Sequence, residues 1–310
     1  MAFNIPLFFL TSLALTAFAA NSFLCRWALA GQQIDALSFT LIRLLSGAIT
    51  LLVLYVIVER KPIQMLLRLN QADTSSSGSS FMANFKGLAG AFWLFIYAAG
   101  FSYAYLSLET GIGALILFAA VQISMIGLNI LAGDRPSKVQ WLGIFISFSG
   151  FIYLLLPTLT SPSLKGFILM TLAGVAWGIY SLQAKAVTPQ NDSALTKTSR
   201  NFIWSIPFIL GLFVLHLIIY GNGQLHMEMK GFYLAVIAGA LTSGVGYAIW
   251  YQVLKGLNAT MASVSQLLVP VIATIMGISF LNEQVELHFI VATLMILGGV
   301  MMVLVKQRQK

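Results

Sequence analysis

The chain has 310 residues, of which 59% are hydrophobic and 8% are charged, and its mean hydropathy is +0.90. A soluble domain carries roughly 25% charged residues, so the composition excludes a water-soluble globular protein and indicates that lipid surrounds most of the chain. The formal net charge of +8 does not indicate a nucleic-acid partner, because the basic residues stand at the ends of apolar runs. The single cysteine, Cys25, excludes a disulfide within the chain.

Apolar runs of membrane-crossing length account for most of the sequence. A helix needs about 20 mostly apolar residues to cross ~30 Å of hydrocarbon. In lipid each backbone amide must be paired within its own segment, so such runs form helices. The sequence therefore predicts an all-α integral membrane protein with ten transmembrane helices, at about 5–29, 36–58, 87–107, 111–132, 138–157, 165–187, 199–220, 231–254, 259–281 and 287–305.

The chain repeats itself. Residues 108–151 align with residues 257–300 at one fixed shift of 149 and without a gap. Few positions are identical, but residue class, run length and turn position agree, and the turn at Gly133-Asp134 matches the turn at Asn282-Glu283. The sequence is therefore interpreted as two copies of one repeated structural unit.

The first apolar run belongs to this repeat. Ala17-Phe18-Ala19 resembles a signal-peptide cleavage site. However, residues 12–26 recur as residues 171–185 at a shift of 159, and a repeated segment is part of the fold. We therefore expect the run to be the first membrane helix.

Each repeat has an odd number of predicted helices. The second copy, 158–310, therefore enters the membrane from the side opposite to the first copy, 1–157, which predicts two inverted five-helix repeats around a central cavity. Inverted repeats of this kind support alternating access, with the solute bound near the midplane between the halves. Pro270, which stands where the first copy has Val121, breaks the symmetry and is a candidate hinge.

Lysine and arginine are distributed unequally between the two ends of the predicted helices. If both termini are cytoplasmic, only Lys165 and Lys230 lie clearly outside, with Arg26 and Arg43 in or near the outer leaflet. The residues on or near the cytoplasmic side are then Arg60, Lys61, Arg68, Lys86, Arg135, Lys138, Lys185, Lys197, Arg200, Lys255, Lys306, Arg308 and Lys310. We therefore expect both termini in the cytoplasm.

Polar and aromatic side chains within the predicted helices are candidates for the cavity wall, because such groups usually face the bundle interior. For Gln122 and Gln266, packing between helices is an equal alternative. Side chains of this kind would suit a small amphipathic metabolite. The predicted cavity residues are Asn21, Arg43, Tyr97, Tyr103, Gln122, Trp177, Tyr180, Trp250, Tyr251 and Gln266.

Arg43 is the strongest candidate for a buried charge. It lies about seven residues into its predicted helix, or ~10 Å deep at 1.5 Å per residue, and either pairs with another side chain or meets an anionic group of a substrate. Arg26 and Lys185 lie near helix ends, where we expect their side chains to extend to the interface. No acidic residue lies deep in a predicted helix, so the sequence does not support coupling to protons or ions.

Short motifs stand at fixed places in the two copies. They are Ala176-Trp177-Gly178 with Lys185, Leu257 to Ser263 leading to Pro270, Leu281-Asn282-Glu283 with Gly298-Gly299, and in the first copy Arg26, Leu108-Glu109-Thr110, Gly133-Asp134 and Gly150. Together these features resemble the EamA-type members of the drug/metabolite transporter superfamily, over essentially the whole chain. Phe18 in place of a common Trp, Val121 in place of Pro and Asn282 in place of Gly depart from the pattern. The resemblance implies secondary transport of a small solute, frequently export of an amino acid or related metabolite across the bacterial inner membrane.

Two other functions are weighed against transport. A membrane enzyme would need a catalytic constellation, but His216, His226 and His288 are scattered without metal-ligand spacing. A channel would need a pore ring or filter, and none is visible in the sequence. We therefore expect no catalysis, cofactor or metal, and as partners a small solute and membrane lipid but no nucleic acid. A homodimer is possible, although a monomer suffices for the mechanism.

Overall fold

The computed structural model describes residues 5–67, 80–131, 136–156, 163–186, 193–221, 225–256 and 265–306. Two π-helical segments occur there: Tyr55–Glu59 follows α2, and Ala238–Val245 joins α9 to α10. The helices are α1 (Ile5–Ala30), α2 (Ala36–Leu54), α3 (Gln64–Leu67), α4 (Ser80–Ala104), α5 (Thr110–Leu131), α6 (Lys138–Leu155), α7 (Ser163–Ala186), α8 (Ala194–Tyr220), α9 (Met229–Ile237), α10 (Gly246–Gly256), α11 (Leu268–Leu281) and α12 (Leu287–Lys306).

The prediction of an all-helical membrane protein is confirmed. Within the described residues, six helices are long and apolar enough to cross a membrane, and four further apolar helices are shorter. Each predicted run overlaps one of these ten apolar helices, and the run 231–254 overlaps the continuous α9, π-helical and α10 series. Residues 259–264 of the ninth run lie outside the described residues.

Small residues allow α6 and α12 to cross at close range. A Cβ added to Gly143 would lie 2.6 Å from the carbonyl oxygen of Gly299. The Ser147 hydroxyl, one turn further along α6, donates a hydrogen bond of 3.2 Å to the Ile296 carbonyl. Backbones approach this closely only where side chains are small.

The centre of the bundle is where α1, α2, α4, α7 and the α9–α10 series meet. Helix α1 packs against the α9–α10 series and α11, while α7 packs against α4 and α5. Helix α2 packs against the π-helical segment Ala238–Val245 and against α8. At that contact a Cβ on Gly239 would overlap the Arg43 carbonyl oxygen, so the absence of a side chain there lets the Arg43 backbone lie directly against the π-helical segment.

Pro270 is the third residue of α11. It has no amide hydrogen to donate to the carbonyl of Gln266, four residues earlier. A turn at Leu267 interrupts the helix between residues 265–266 and the start of α11. Pro270 itself is buried, so this break in the helix faces protein, as lipid requires.

Candidate functional site

Arg43 is one of the largest fully buried side chains of the described chain, with 2% of its surface exposed. Its Nε and Nη1 nitrogens are buried without a hydrogen-bond partner. The guanidinium carbon lies 4.8 Å from the ring centroid of Phe101 and 5.3 Å from that of Tyr97. None of the ion pairs found in the described part of the chain includes Arg43.

An unpaired cation in this position is energetically unfavourable. Burying a charged group without a partner costs several kcal/mol, and stacking on an aromatic ring recovers only about 0.5–2 kcal/mol. Of the two roles open to Arg43 on sequence grounds, pairing with a described acidic residue does not occur. Among the described residues, Arg43 therefore has no counter-ion.

Aromatic rings continue from Arg43 through the bundle centre. Tyr97 lies 4.8 Å from Trp177 between ring centroids, and Trp177 lies 5.3 Å from Tyr180 and 5.1 Å from Tyr247. Trp177 is partly exposed, whereas the three tyrosines are buried. Helices α4, α7 and α10 supply these rings, so residues far apart in sequence form one continuous group of aromatic contacts.

The group of aromatic contacts extends to α1. Phe18 lies 5.8 Å from Tyr247 and 5.6 Å from Trp250 between ring centroids. Phe18 stands at the repeat position of Trp177, which is 159 residues later. We define the central cluster as Arg43 together with the rings of Phe18, Tyr97, Phe101, Trp177, Tyr180, Tyr247 and Trp250.

Asn21 connects three helical elements beside the central cluster. Its Nδ2 amide donates to the Tyr97 hydroxyl at 3.5 Å, and its Oδ1 accepts from the Thr242 hydroxyl at 3.3 Å. Thr242 belongs to the π-helical segment. All three side chains are buried, so the polar contact fixes α1 against α4 and the α9–α10 series.

The other predicted cavity residues are less central. Gln122 is buried in α5, and Gln266 is partly exposed immediately before the turn at Leu267. Tyr103 is partly exposed and lies one residue before the end of α4, so the structure does not bring it into the central cluster. The side chain of Tyr251 lies outside the described residues.

At one end of the bundle Glu283 links three elements. Its carboxylate accepts hydrogen bonds from the backbone amide of Thr110, at 2.9 Å, and from the Thr110 hydroxyl, at 3.0 Å. Its Oε1 lies 3.6 Å from Nε of Arg26. Thr110 is the first residue of α5, where a carboxylate also interacts favourably with the helix dipole. We call Arg26, Thr110 and Glu283 the Glu283 clamp.

Arg26 has partners in the structure that the sequence did not reveal. Its side chain is 19% exposed, pairs with Glu283, and donates through Nη1 to the Tyr105 carbonyl at 3.1 Å. That this side chain extends to the membrane interface stays a prediction. Lys185, for which the same role was expected, has its side chain outside the described residues.

A second set of contacts closes the same end of the bundle. The Asp35 amide donates to the His226 carbonyl at 2.8 Å, and the His226 amide donates to the Asp35 carboxylate at 3.1 Å. The Glu228 amide donates to the Gln33 carbonyl at 2.7 Å. These bonds join the turn before α2 to the turn before α9, and we call them the turn bridge.

Sequence reasoning did not select Glu283, Phe101 or Thr242 as site residues. A signal for Glu283 existed, because the acid recurs at the same turn position as Asp134. Phe101 and Thr242 gave no such signal, since an aromatic ring or hydroxyl in a membrane helix gains a role only from what the fold places beside it.

Comparison with known proteins places the chain in a family. The model of the EamA-like transporter family matches residues 164–305. The uncharacterized protein PA1977 of Pseudomonas aeruginosa is 40% identical over 295 residues, which cover 95% of this chain and 93% of that protein. An uncharacterized transporter of Archaeoglobus fulgidus is 25% identical over 69% of this chain and 73% of its own length.

Two further similarities agree with this result. The uncharacterized transporter YyaM of Bacillus subtilis is 28% identical over 60% of this chain and 62% of its own length. A solved crystal structure superposes with a TM-score of 0.61 at 15% identity, covering 96% of this chain and 99% of the other, and this likeness concerns the fold alone. The multi-pass membrane protein described here belongs to the EamA-like transporter family, within the drug/metabolite transporter superfamily.

Proposed function

We propose that this protein is a secondary transporter that exports a small metabolite, an amino acid or a related solute, across the bacterial inner membrane by alternating access. The observation that carries the proposal is the central cluster, in which a buried cation lies against two aromatic rings of the first half of the chain. One of these rings, Tyr97, contacts the Trp177 ring of the second half. Membership of a transporter family supports the same function.

The packing of the helices supports two inverted five-helix repeats, 1–157 and 158–310. Exchanging the repeats pairs α1 with α7, α2 with α8, α4 with the α9–α10 series, α5 with α11 and α6 with α12. Under this exchange the contacts of α1 with α11 and with the α9–α10 series become those of α7 with α5 and with α4. The contacts α2 with α8, α5 with α11 and α6 with α12 map onto themselves. A pseudo-two-fold axis in the membrane plane has this effect.

The distribution of lysine and arginine gives the proposed orientation. Both termini are cytoplasmic, so the Glu283 clamp and the turn bridge lie at the periplasmic end. Each set of contacts joins an element of the first repeat to an element of the second. The described conformation is then closed toward the periplasm, and export requires both sets of contacts to open.

Release of metabolites from intact cells tests the proposed transport. Cells expressing the protein are compared with cells expressing Trp177→Ala and with vector controls, and solutes in the medium are profiled. We expect at least one small metabolite to accumulate outside wild-type cells only. Purified protein in liposomes should then exchange that labelled solute by saturable counterflow. Unsaturable flux without counterflow would indicate a channel and contradict the proposal.

A further inference from the structure

We propose that the transported solute carries a carboxylate that binds Arg43, with its apolar part against Trp177 and Tyr247. This inference rests on the proposed transport function and identifies the chemical class of the solute. It assigns to Arg43 a binding role in place of a structural one.

The first step is the unused hydrogen-bonding capacity of Arg43. Nε and Nη1 are buried and have no acceptor in the protein. The side chain is only 2% exposed, so solvent does not supply one. A guanidinium has five donors and cannot lose its charge at physiological pH. The group that completes the site must therefore bring both negative charge and acceptor oxygens, and a carboxylate does both.

The second step is the orientation of the guanidinium. Phe101 and Tyr97 lie 4.8 and 5.3 Å from its central carbon, so two rings of α4 restrict its movement. Tyr97 is itself held by the amide of Asn21 at 3.5 Å. A cation positioned before the ligand arrives loses little entropy on binding, which favours affinity.

The third step is the surface next to Arg43. Tyr97 also contacts Trp177, whose ring is 4.8 Å away, and Trp177 contacts Tyr247 at 5.1 Å. Trp177 is the partly exposed member of this group. A solute whose carboxylate meets Arg43 therefore has aromatic surface one ring further along, which suits an apolar or aromatic body.

The charge of the site favours one negative charge on the solute. Arg26, the other arginine in the periplasmic half of the proposed bundle, is already paired with Glu283 at 3.6 Å. Among the described residues the central cluster thus offers one uncompensated cation. A carboxylate balances it, whereas a doubly charged phosphate ester would leave excess charge buried.

Binding to purified protein in lipid nanodiscs tests the inference without requiring flux. The probes are benzoate, phenylacetate and phenylalanine, each compared with its own carboxamide, and the readout is the shift of thermal unfolding. We expect at least one carboxylate to stabilise the wild type and its amide to have no effect. Arg43→Gln should weaken the carboxylate's binding by about 10- to 100-fold, as loss of a charged hydrogen bond does, and Arg43→Lys should weaken it less.

Lys165→Gln is the matched control, because it removes a positive charge from the exposed start of α7 and should leave binding unchanged. Arg43→Lys retains the charge and shows whether a failing Arg43→Gln variant has merely misfolded. Equal stabilisation by acids and amides, no stabilisation by any carboxylate, or carboxylate binding that survives Arg43→Gln would overturn the inference.

Metabolite release separates this inference from the transport function on which it rests. Carboxylated solutes released by wild-type cells and not by Arg43→Gln cells support both. Release of uncharged or cationic solutes that persists in Arg43→Gln cells leaves the transport proposal standing and overturns the inference. If no solute is released, the transport proposal fails, while the binding measurement still decides the role of Arg43.

Discussion

Arg26 and Glu283 lie in opposite halves of the chain, and their side chains meet at 3.6 Å between Nε and Oε1. The same carboxylate accepts hydrogen bonds from the backbone and hydroxyl of Thr110 at the start of α5. Both charged side chains are largely buried, at 19% and 11% exposed. The pair therefore acts as a cross-link between the ends of α1, α5 and α11.

Glu283→Ala should destabilise the described conformation. It removes the capping acceptor of α5 and leaves Arg26 without its acidic partner, so we expect a loss of about 1–3 kcal/mol in the free energy of unfolding. Glu283→Gln, which keeps an acceptor, should lose less. Thermal or denaturant unfolding in nanodiscs measures the difference. Glu286→Gln is the control, since Glu286 is 76% exposed; a loss as large as that of Glu283→Ala would contradict a specific role for the clamp.

Arg43→Met should have the opposite effect on stability. It replaces an unpaired buried cation by an apolar side chain, which relieves the desolvation cost, so the ligand-free protein should become more stable by about 1–3 kcal/mol, less the lost ring contacts. Transport should be abolished. The companion variant is Arg26→Met, which breaks the pair with Glu283 and should lower stability. Equal destabilisation by both substitutions would show that Arg43 has a structural partner.

Adjacent glycines in α12 provide a matched test of the α6–α12 crossing. A Cβ on Gly299 would lie 2.5 Å from the Gly143 carbonyl oxygen, whereas a Cβ on Gly298 meets nothing within 4 Å. Gly299→Ala should therefore destabilise the protein by about 1–3 kcal/mol through overpacking. Gly298→Ala should be neutral or stabilise α12 by up to about 1 kcal/mol through its better helix propensity. Unfolding of the two variants measures both, and equal effects would contradict the crossing.

Glu109 should make stability depend on pH. Burial, and then the nearby Glu283 carboxylate, raise the pKa of Glu109 above its usual value; Glu286 adds to this, whereas Arg26 opposes it. A carboxyl whose pKa is higher in the folded state is most favourable to folding below its unfolded pKa, and this stabilisation is lost as the pH rises through the folded pKa. As the pH rises from the unfolded pKa through the folded pKa, the free energy of unfolding of the wild type should therefore decline relative to that of Glu109→Gln. Unfolding measured as a function of pH checks this, and parallel curves for the two proteins would contradict the raised pKa of Glu109.

The helices were predictable because lipid imposes a simple rule on length and polarity. The apolar runs at 36–58 and 287–305, for example, coincide with α2 and its π-helical extension and with α12. The burial of Arg43 was also predictable from its position along a predicted helix. The π-helical segment Ala238–Val245 was not predicted, because nothing in the local sequence marks its altered hydrogen bonding; its close contact with α2 at Gly239 is visible only in the fold.

Contacts between residues far apart in sequence explain what else the sequence did not predict about the candidate site. Arg26 gave no sign of its partner because Glu283 is far away in sequence and reaches it only through the packing of α1 against α11. Asn21 and Tyr97 were both selected as cavity residues, but their hydrogen bond and the third partner, Thr242, depend on how α1, α4 and the α9–α10 series meet. Tyr103 has the same chemistry as Tyr97 and yet lies at the helix end.

Two cysteine reporters can follow access to the proposed pathway from each side. Cys25 is the native cysteine and is fully buried next to Arg26, so in the proposed orientation it reports on the periplasmic end. In the same orientation Ser181→Cys, one turn beyond Trp177 in α7, reports on the cytoplasmic end in a Cys25→Ser background. A membrane-impermeant maleimide is applied to whole cells for the first reporter and to inside-out vesicles for the second.

The most direct test of alternating access is the effect of Glu283→Ala, which removes the acceptor from the Glu283 clamp, on both labelling rates. Opening the Glu283 clamp should raise the labelling of Cys25 from the periplasm and lower the labelling at Ser181→Cys from the cytoplasm, because one conformation replaces the other. If the first rate rises while the second stays constant or rises as well, the substitution merely loosens the bundle, and the account of a carrier that opens to one side at a time is contradicted.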